Sequence, residues 1–299
     1  MKYIFLIYNP GAGKRSFKNY LDYFCAVAKG IGYDVMMCRL TQEENLVERF
    51  QSLDASLCQA IIVAGGDGTV NKVVNDLIRS GRDIPVGIIP AGTANDFAVY
   101  LRMPKDIKAA IGLLPKLKAQ SVDVGEVNGH YFINVCAGGG LVNISHYVDQ
   151  ELKNNIGVLA YYLRGLTEMT TLKSRRFHIE TKDGAMIEEL LFFLLINTTG
   201  SGGFTDLVLD ARINDGFLDF IGFKPSGIPE LTNLISKMLT GQDFTNEKNI
   251  LYFRTDHLMI DCLDPIDHSN VDGEIGPSFP LTINVHPLHI RVMTAGSNL

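Results

Sequence analysis

Three short stretches bring glycine, hydroxyl and carboxylate groups together in a pattern suited to phosphate chemistry. The most specific is "GGDGT", residues 65–69, which follows the apolar run "QAIIVA" and leads into a helical pattern. Val70, Val73, Val74, Leu77 and Ile78 fall at i, i+3, i+4, i+7 and i+8, so the spacing predicts a helix starting near Thr69. Gly65, Gly66 and Gly68 allow positive φ and close backbone approach, and Thr69 can cap the helix and meet phosphate. A lone carboxylate beside a polyphosphate would be repulsive, so Asp67 makes sense if a magnesium ion or its water shell lies between them. "PAGTANDFA", residues 90–98, repeats this logic with Thr93, Asn95 and Asp96 at the mouth of another helix. "NPGAGK", residues 9–14, is a glycine turn between the first apolar run and a helix, able to aim backbone N–H groups at an anion. A Walker A loop would need Gly at Tyr8 and Ser or Thr at Arg15, and a dinucleotide fingerprint would need Gly at Ser16, so neither fits.

These loops need a scaffold that puts them on one rim. Apolar runs such as "YIFLIY", "YDVMMCRL", "QAIIVA" and "IPVGIIP" alternate with helical patterns, the signature of βαβ units and a parallel sheet. In such a sheet the loops leave the carboxyl ends of the strands, where ligands bind. Together they predict a site for a nucleoside triphosphate with its metal. Past residue 120 the pattern changes to period-2 runs, with turn signals at Asn128-Gly129, Lys182-Asp183-Gly184 and Asn214-Asp215-Gly216 between candidate strands. Helical patterns interrupt over about 141–169 and 227–239. The fold class expected is α/β: a parallel-sheet, Rossmann-like nucleotide domain over 1–121, then a mostly antiparallel β-sandwich domain over 122–299 whose last strand or tail returns to the first.

Composition narrows the partners. Lys plus Arg number 27 against 33 Asp plus Glu, a net charge of -6 that argues against a nucleic-acid footprint. The longest apolar run, residues 190–196, is far below the ~20 residues of a membrane helix, and the N-terminal apolar run is too short for a signal peptide. The five cysteines are odd in number and widely spaced, which fits buried thiols in a cytoplasmic protein better than disulfides or zinc. No H-E-x-x-H or G-x-S-x-G occurs. "LKSRR", residues 172–176, reads as a solvated basic face, or alternatively as attraction to anionic headgroups.

"NPGAGK", "GGDGTVNKVVN" and "PAGTANDFA", in that order, with "INDGFLD" and "VDGE" in the second half, resemble the diacylglycerol kinase catalytic domain family, especially its soluble bacterial lipid kinases. GGDGT alone is shared with NAD kinases; "PAGTANDFA" favours lipid kinases. The resemblance implies ATP contacts at Asn9, Pro10, Gly11, Ala12, Gly13, Thr41, Gly65, Gly66, Asp67, Gly68, Thr69, Val70, Asn71 and Thr93, in the loop that also carries Asn95 and Asp96. It implies that Asp67 and Asp96 organise Mg2+, with Asp272 joining the network, and that Glu274 takes the proton from a lipid hydroxyl. A second, structural metal would sit at Asp215 with the carbonyls of Arg212 and Phe217; an ordinary hairpin turn is the other reading there. Val99 stands where many members carry a basic residue. The implied enzyme is cytoplasmic, without a transmembrane segment, meets its lipid at the inner face of the membrane, and forms homodimers in some members. An NAD kinase-like small-molecule kinase and a nucleotide-binding regulator without turnover are the alternatives. A lipid substrate calls for an apolar cleft; Val158, Tyr161, Tyr162, Leu166 and Met169 read first as ordinary core and, alternatively, as its lining.

Overall fold

The computed structural model describes residues 1–13, 16–41, 44–140, 173–200, 207–208, 211–265 and 268–295. The expected helix over 141–169 and its cleft residues lie outside them. The chain divides into two compact units: Met1–Val124 with Arg212–Gly216 and His286–Leu299, and Gly125–Ala211 with Phe217–Val285.

The first unit is built on a parallel sheet. Strand β1 (Tyr3–Tyr8) lies between β2 (Asp34–Arg39) and β3 (Cys58–Gly65), and β3 pairs with β4 (Val86–Pro90), all in parallel. The interior strands are continuous apolar runs because helices cover both faces of such a sheet: Ile4 to Ile7 are buried, as are Ile61 to Ala64. Between the strands run α1 (Leu21–Gly30), α2 (Leu46–Ser52) and α3 (Asp67–Ser80), followed by α4 (Asp96–Tyr100) and α5 (Ile107–Gly112). The α3 stripe of Val70, Val73, Val74 and Leu77 is buried, and Gly81 ends the helix at φ 68. The strand order β2-β1-β3-β4 reverses direction between β1 and β3. The loops after those two strands therefore flank the crevice where open α/β sheets bind ligands.

Two later segments complete this unit. Strand β5 (Lys118–Val127) carries Asp123, which is fully buried. Its carboxylate accepts the N–H groups of Gly216 and Leu288, each at 2.7 Å, and its own N–H donates to the Ile213 carbonyl at 2.7 Å. Residues 212–216 and the C-terminal part of β16 (Leu281–Thr294) are thus tied to one carboxylate, and Val292 pairs in parallel with Val86. Burial pushes the Asp123 carboxyl above its usual range and the nearby Asp215 charge adds to that; the N–H donors oppose both.

The second unit is antiparallel. One sheet runs in the order β12-β11-β10-β7-β14-β15, from β12 (Ile250–Thr255), β11 (Leu218–Phe223), β10 (Phe192–Ile196) and β7 (Val135–Gly139) to the two-residue strands β14 (Asn270–Val271) and β15 (Glu274–Ile275). The other joins β9 (Gly184–Leu190), β8 (Arg175–Thr181), β13 (His257–Cys262) and the first residues of β16, with β6 (His130–Phe132) pairing β5. Side chains alternate between sheet faces. Phe193, Leu195, Phe220 and Val271 enter one core with Phe177, Ile260 and Ile283. Ile196, Ile221 and Phe223 enter a second, covered by Leu234 and Met238 of α6 (Ile228–Thr240). The Asn128-Gly129 and Lys182-Asp183-Gly184 signals do form hairpins. Asn214-Asp215-Gly216 differs: it is a turn entering β11 with no strand among the described residues just before it, held by Asp123 instead of a cross-strand ladder.

Phe193 is the hub of the first of these cores, within 5.5 Å of the Phe177 ring centroid and 5.6 Å of Phe220. Gly138 faces it because a Cβ there would come within 2.5 Å of the ring. Phe193→Ala should destabilise the second unit by about 3–5 kcal/mol. Denaturant unfolding followed by circular dichroism checks this; a loss below about 1 kcal/mol would contradict the packing.

Candidate functional site

The three glycine loops of the first unit are locked to one another. Asn9 donates its Nδ2 to Thr69 Oγ1 at 3.0 Å, and its Oδ1 accepts the Gly11 N–H at 2.9 Å. The Ala91 N–H donates to the Gly65 carbonyl at 2.9 Å. Asn95 sits in the left-handed region at φ 55, and its N–H donates to Asp67 Oδ2 at 2.8 Å. The Asn95 amide closes its own loop through the Gly92 N–H at 2.9 Å and the Gly92 carbonyl at 3.0 Å. Gly66 and Gly92 touch backbone to backbone: a Cβ on Gly92 would lie 2.4 Å from the Gly66 Cα. A Cβ on Gly13, at φ 48, would lie 2.3 Å from the Ala91 carbonyl oxygen.

This packing revises the role of the glycines. Among Gly65, Gly66 and Gly68 none has positive φ; Gly66 is an extended N-cap at φ -95. At Gly66 the missing side chain lets loop meet loop, and at Gly65 it makes room for the Thr69 side chain, whose atoms would lie 2.5–2.8 Å from a Cβ. Thr69 is not the cap. It lies buried in the first turn of α3, which begins two residues earlier than the apolar spacing indicated, at Asp67. The α3 helix, 14 residues long, points its N-terminus at this rim, so its first-turn backbone and the helix dipole favour an anion there.

The remaining expected residues of this unit fall on or near the same loops. Pro10 and Ala12 are partly exposed and Gly11 exposed, Val70 is buried beneath the loops, and Asn71 is half-buried and accepts from Asn75 Nδ2 at 3.1 Å. Thr93 is exposed, and Asp96 opens α4 directly after Asn95. Thr41 is exposed just past β2. Among the described residues no group of three or more His, Cys, Asp or Glu side chains could hold a metal by itself. The donor set still fits Mg2+, which is bound through one or two carboxylates plus substrate phosphates. Asp67 and Asp96 supply two carboxylates at adjoining helix starts, joined through Asn95.

At the expected second metal position Asp215 is partly exposed, and the Arg212 side chain is exposed. The Phe217 ring stacks under Arg254, 5.1 Å from its guanidinium carbon, and Arg254 Nε lies 3.6 Å from the buried Asp219.

In the second unit the "VDGE" segment forms the β14–β15 hairpin. Asp272 and Gly273 take φ 47 and 89, the left-handed pair required by a two-residue turn, and Gly273 N–H donates to Asn270 Oδ1 at 3.0 Å. Asp272 is buried and accepts three backbone N–H groups: Ile133 at 2.9 Å, Asn134 at 3.0 Å and Val135 at 2.8 Å. Its carboxylate therefore clamps the hairpin to the start of β7. Glu274, two residues on, stands exposed. Buried polar groups surround the clamp: Thr198 donates to Asn134 Oδ1, and Asn197 Nδ2 to the Ile133 carbonyl at 3.1 Å. Burial and the Asp272 charge push the adjacent Cys136 thiol far up, which makes it inert. Asn134, Asn197, Thr198, Asn270 and Asp123 escaped sequence reading. Their only signal was a polar residue set in or directly after an apolar run, as in "FINVC" and "LLINTT".

Comparison with known proteins follows the same division. Residues 3–127 match the model of the diacylglycerol kinase catalytic domain, and residues 137–294 that of the YegS C-terminal NAD kinase beta sandwich-like domain. A diacylglycerol kinase of Bacillus subtilis (strain 168) is 33% identical over 282 residues, spanning 94% of this chain and 92% of that protein. One from Staphylococcus carnosus (strain TM300) is 32% identical over 291 residues, 97% of this chain and 94% of that protein. A crystal structure of a diacylglycerol kinase from Bacillus anthracis str. Sterne superposes with a TM-score of 0.81 at 26% identity, covering 98% of this chain and 97% of that one. With interlocked glycine loops in the first unit and the clamped hairpin in the second, the chain belongs to the diacylglycerol kinase catalytic domain family and is an enzyme of the lipid-kinase type.

Proposed function

We propose that this enzyme transfers the γ-phosphoryl group of ATP to the free hydroxyl of diacylglycerol or a closely related glycerolipid. The observation that carries this reading is the mutual locking of loops 9–13, 65–69 and 90–95 beside the N-terminus of α3. Phosphoryl transfer depends chiefly on positioning and charge neutralisation. A rim whose loops are already bonded to one another supports that requirement.

In this proposal the backbones of residues 9–13 and 65–71 and the Thr93 hydroxyl hold the phosphates, and Thr41 borders the nucleoside. Mg2+ held by Asp67 and Asp96 would neutralise charge on the transferring phosphoryl group. Glu274 takes the proton from the lipid hydroxyl as its oxygen bonds to phosphorus and the bond to ADP breaks. Asp272 is a positioning residue: with three N–H donors on its carboxylate, it fixes the turn that presents Glu274. No helix among the described residues is long and apolar enough to cross a membrane. The enzyme works at the bilayer surface, where its neutral substrate resides.

Two variants separate holding the nucleotide from using it. Glu274→Gln should retain nucleotide affinity and lower kcat by about 10²–10⁴-fold, the scale of a general base; near-wild-type turnover would remove Glu274 from the reaction. Gly92→Ala should do the reverse. Its methyl forces apart loops that touch at the Gly66 Cα, and overpacking of about 1–3 kcal/mol corresponds to a roughly 5- to 150-fold weaker nucleotide affinity. Calorimetric titration of ATP with Mg2+ reads both affinities and lipid phosphorylation reads kcat; unchanged affinity in Gly92→Ala would show that the loop contact is dispensable.

A further inference from the structure

Leu288 holds a backbone conformation that a large side chain rarely takes, at φ 50 in the left-handed region. The Asp123 carboxylate keeps it there by accepting the Leu288 N–H at 2.7 Å. Leu288 itself is 56% exposed, so burial of its own side chain does not offset the strain. The bend falls within β16, in the stretch that belongs to the first unit, between His286 and His289. In a regular strand residues three apart point to opposite faces, because successive side chains alternate. Here the two imidazoles meet instead, with ring centroids 5.1 Å apart and planes at 49°. Pro287 stands between them with its φ fixed by its ring, so the segment has less freedom to lose when the pair engages a ligand.

That separation suits a shared metal ion. An imidazole nitrogen binds Zn2+ at about 2.0–2.1 Å, which puts the ring centroid roughly 3.2 Å from the ion. Two such rings at a tetrahedral angle have centroids about 5.2 Å apart. Packing of one ring on the other tolerates a wider range, about 4.5–7 Å. His286 is partly exposed and His289 exposed, so an ion from solvent can reach both. Imidazole suits Zn2+ and its neighbours Ni2+ and Cu2+, whereas Mg2+ takes oxygen ligands. Two protein ligands leave the other positions to water, which makes the site open and its ion exchangeable.

We propose that His286 and His289 chelate one Zn2+ ion, or a similar transition-metal ion, which fastens the β16 bend across Leu288. Each ring binds through one nitrogen and keeps the other for a hydrogen bond. The ion takes no part in phosphoryl transfer, so the site stands or falls apart from the lipid-kinase reading.

Calorimetric titration of Zn2+ into the full-length, metal-free protein, with Mg2+ present in excess, tests the site. Wild type should show a saturable event that weakens by roughly tenfold or more in His286→Ala and in His289→Ala, a loss of at least about 1.4 kcal/mol in each. The double variant should lose little beyond either single one, because one substitution already breaks the chelate. His130→Ala removes an exposed histidine elsewhere and should leave the event unchanged. His289→Gln should match His289→Ala, and an unaltered circular dichroism spectrum shows that the loss is of a ligand and not of the fold. Wild type without a saturable event, full affinity in either single variant, or losses that simply add in the double variant would each overturn the shared site.

Discussion

One hydrogen bond organises the nucleotide side of this protein: the Asn95 N–H to Asp67 Oδ2, at 2.8 Å. It joins the first turn of α3 to the loop after β4, and it holds Asn95 in a left-handed conformation that non-glycine residues adopt at some cost. With Asn95 so placed, its amide closes the loop on Gly92, and Gly92 can lie against Gly66. Asn9 adds the third loop by its bond to Thr69. The acid within this glycine loop thus has a structural duty besides the metal role proposed for it. A carboxylate can meet both, because its two oxygens offer about four acceptor positions.

The second unit uses the same device. Asp272 also sits in a left-handed conformation, and it gathers three backbone N–H groups from residues 133–135. Asp123 does so a third time for Gly216 and Leu288. In each case a carboxylate on one segment satisfies backbone donors of another segment far away in sequence, where no regular ladder is available. Buried donors left without such a partner would cost free energy, so these acids are fold determinants.

Much of the plan was legible from local pattern. The apolar runs of β1, β3 and β4 and the spacing of Val70, Val73, Val74 and Leu77 identify a parallel sheet and its helix, because burial on both faces of a strand and on one stripe of a helix leaves distinct periods. Asn128-Gly129 marks a hairpin because only few residues accept two successive left-handed conformations. Local pattern misled at Asn214-Asp215-Gly216, where the turn answers to Asp123, ninety-three positions away from Gly216. It also left unread that Gly66 makes room for Gly92 and Gly65 for Thr69. Loop-to-loop contact has no sequence period, so it could not be read. Asn270 was missed for the same reason: its environment is set by cross-strand neighbours at Ala137 and Leu194.

Transfer of phosphate to a lipid is the claim on which the roles of Asp67, Asp272 and Glu274 converge. Incubating the wild-type protein with γ-labelled ATP, Mg2+, micellar diacylglycerol and, in parallel, NAD tests it directly. Label entering the organic-extractable phospholipid, with none in NADP, is the predicted result. Label in NADP alone would identify a small-molecule kinase, and label in neither product would identify a nucleotide-binding protein without turnover; each would contradict the assignment.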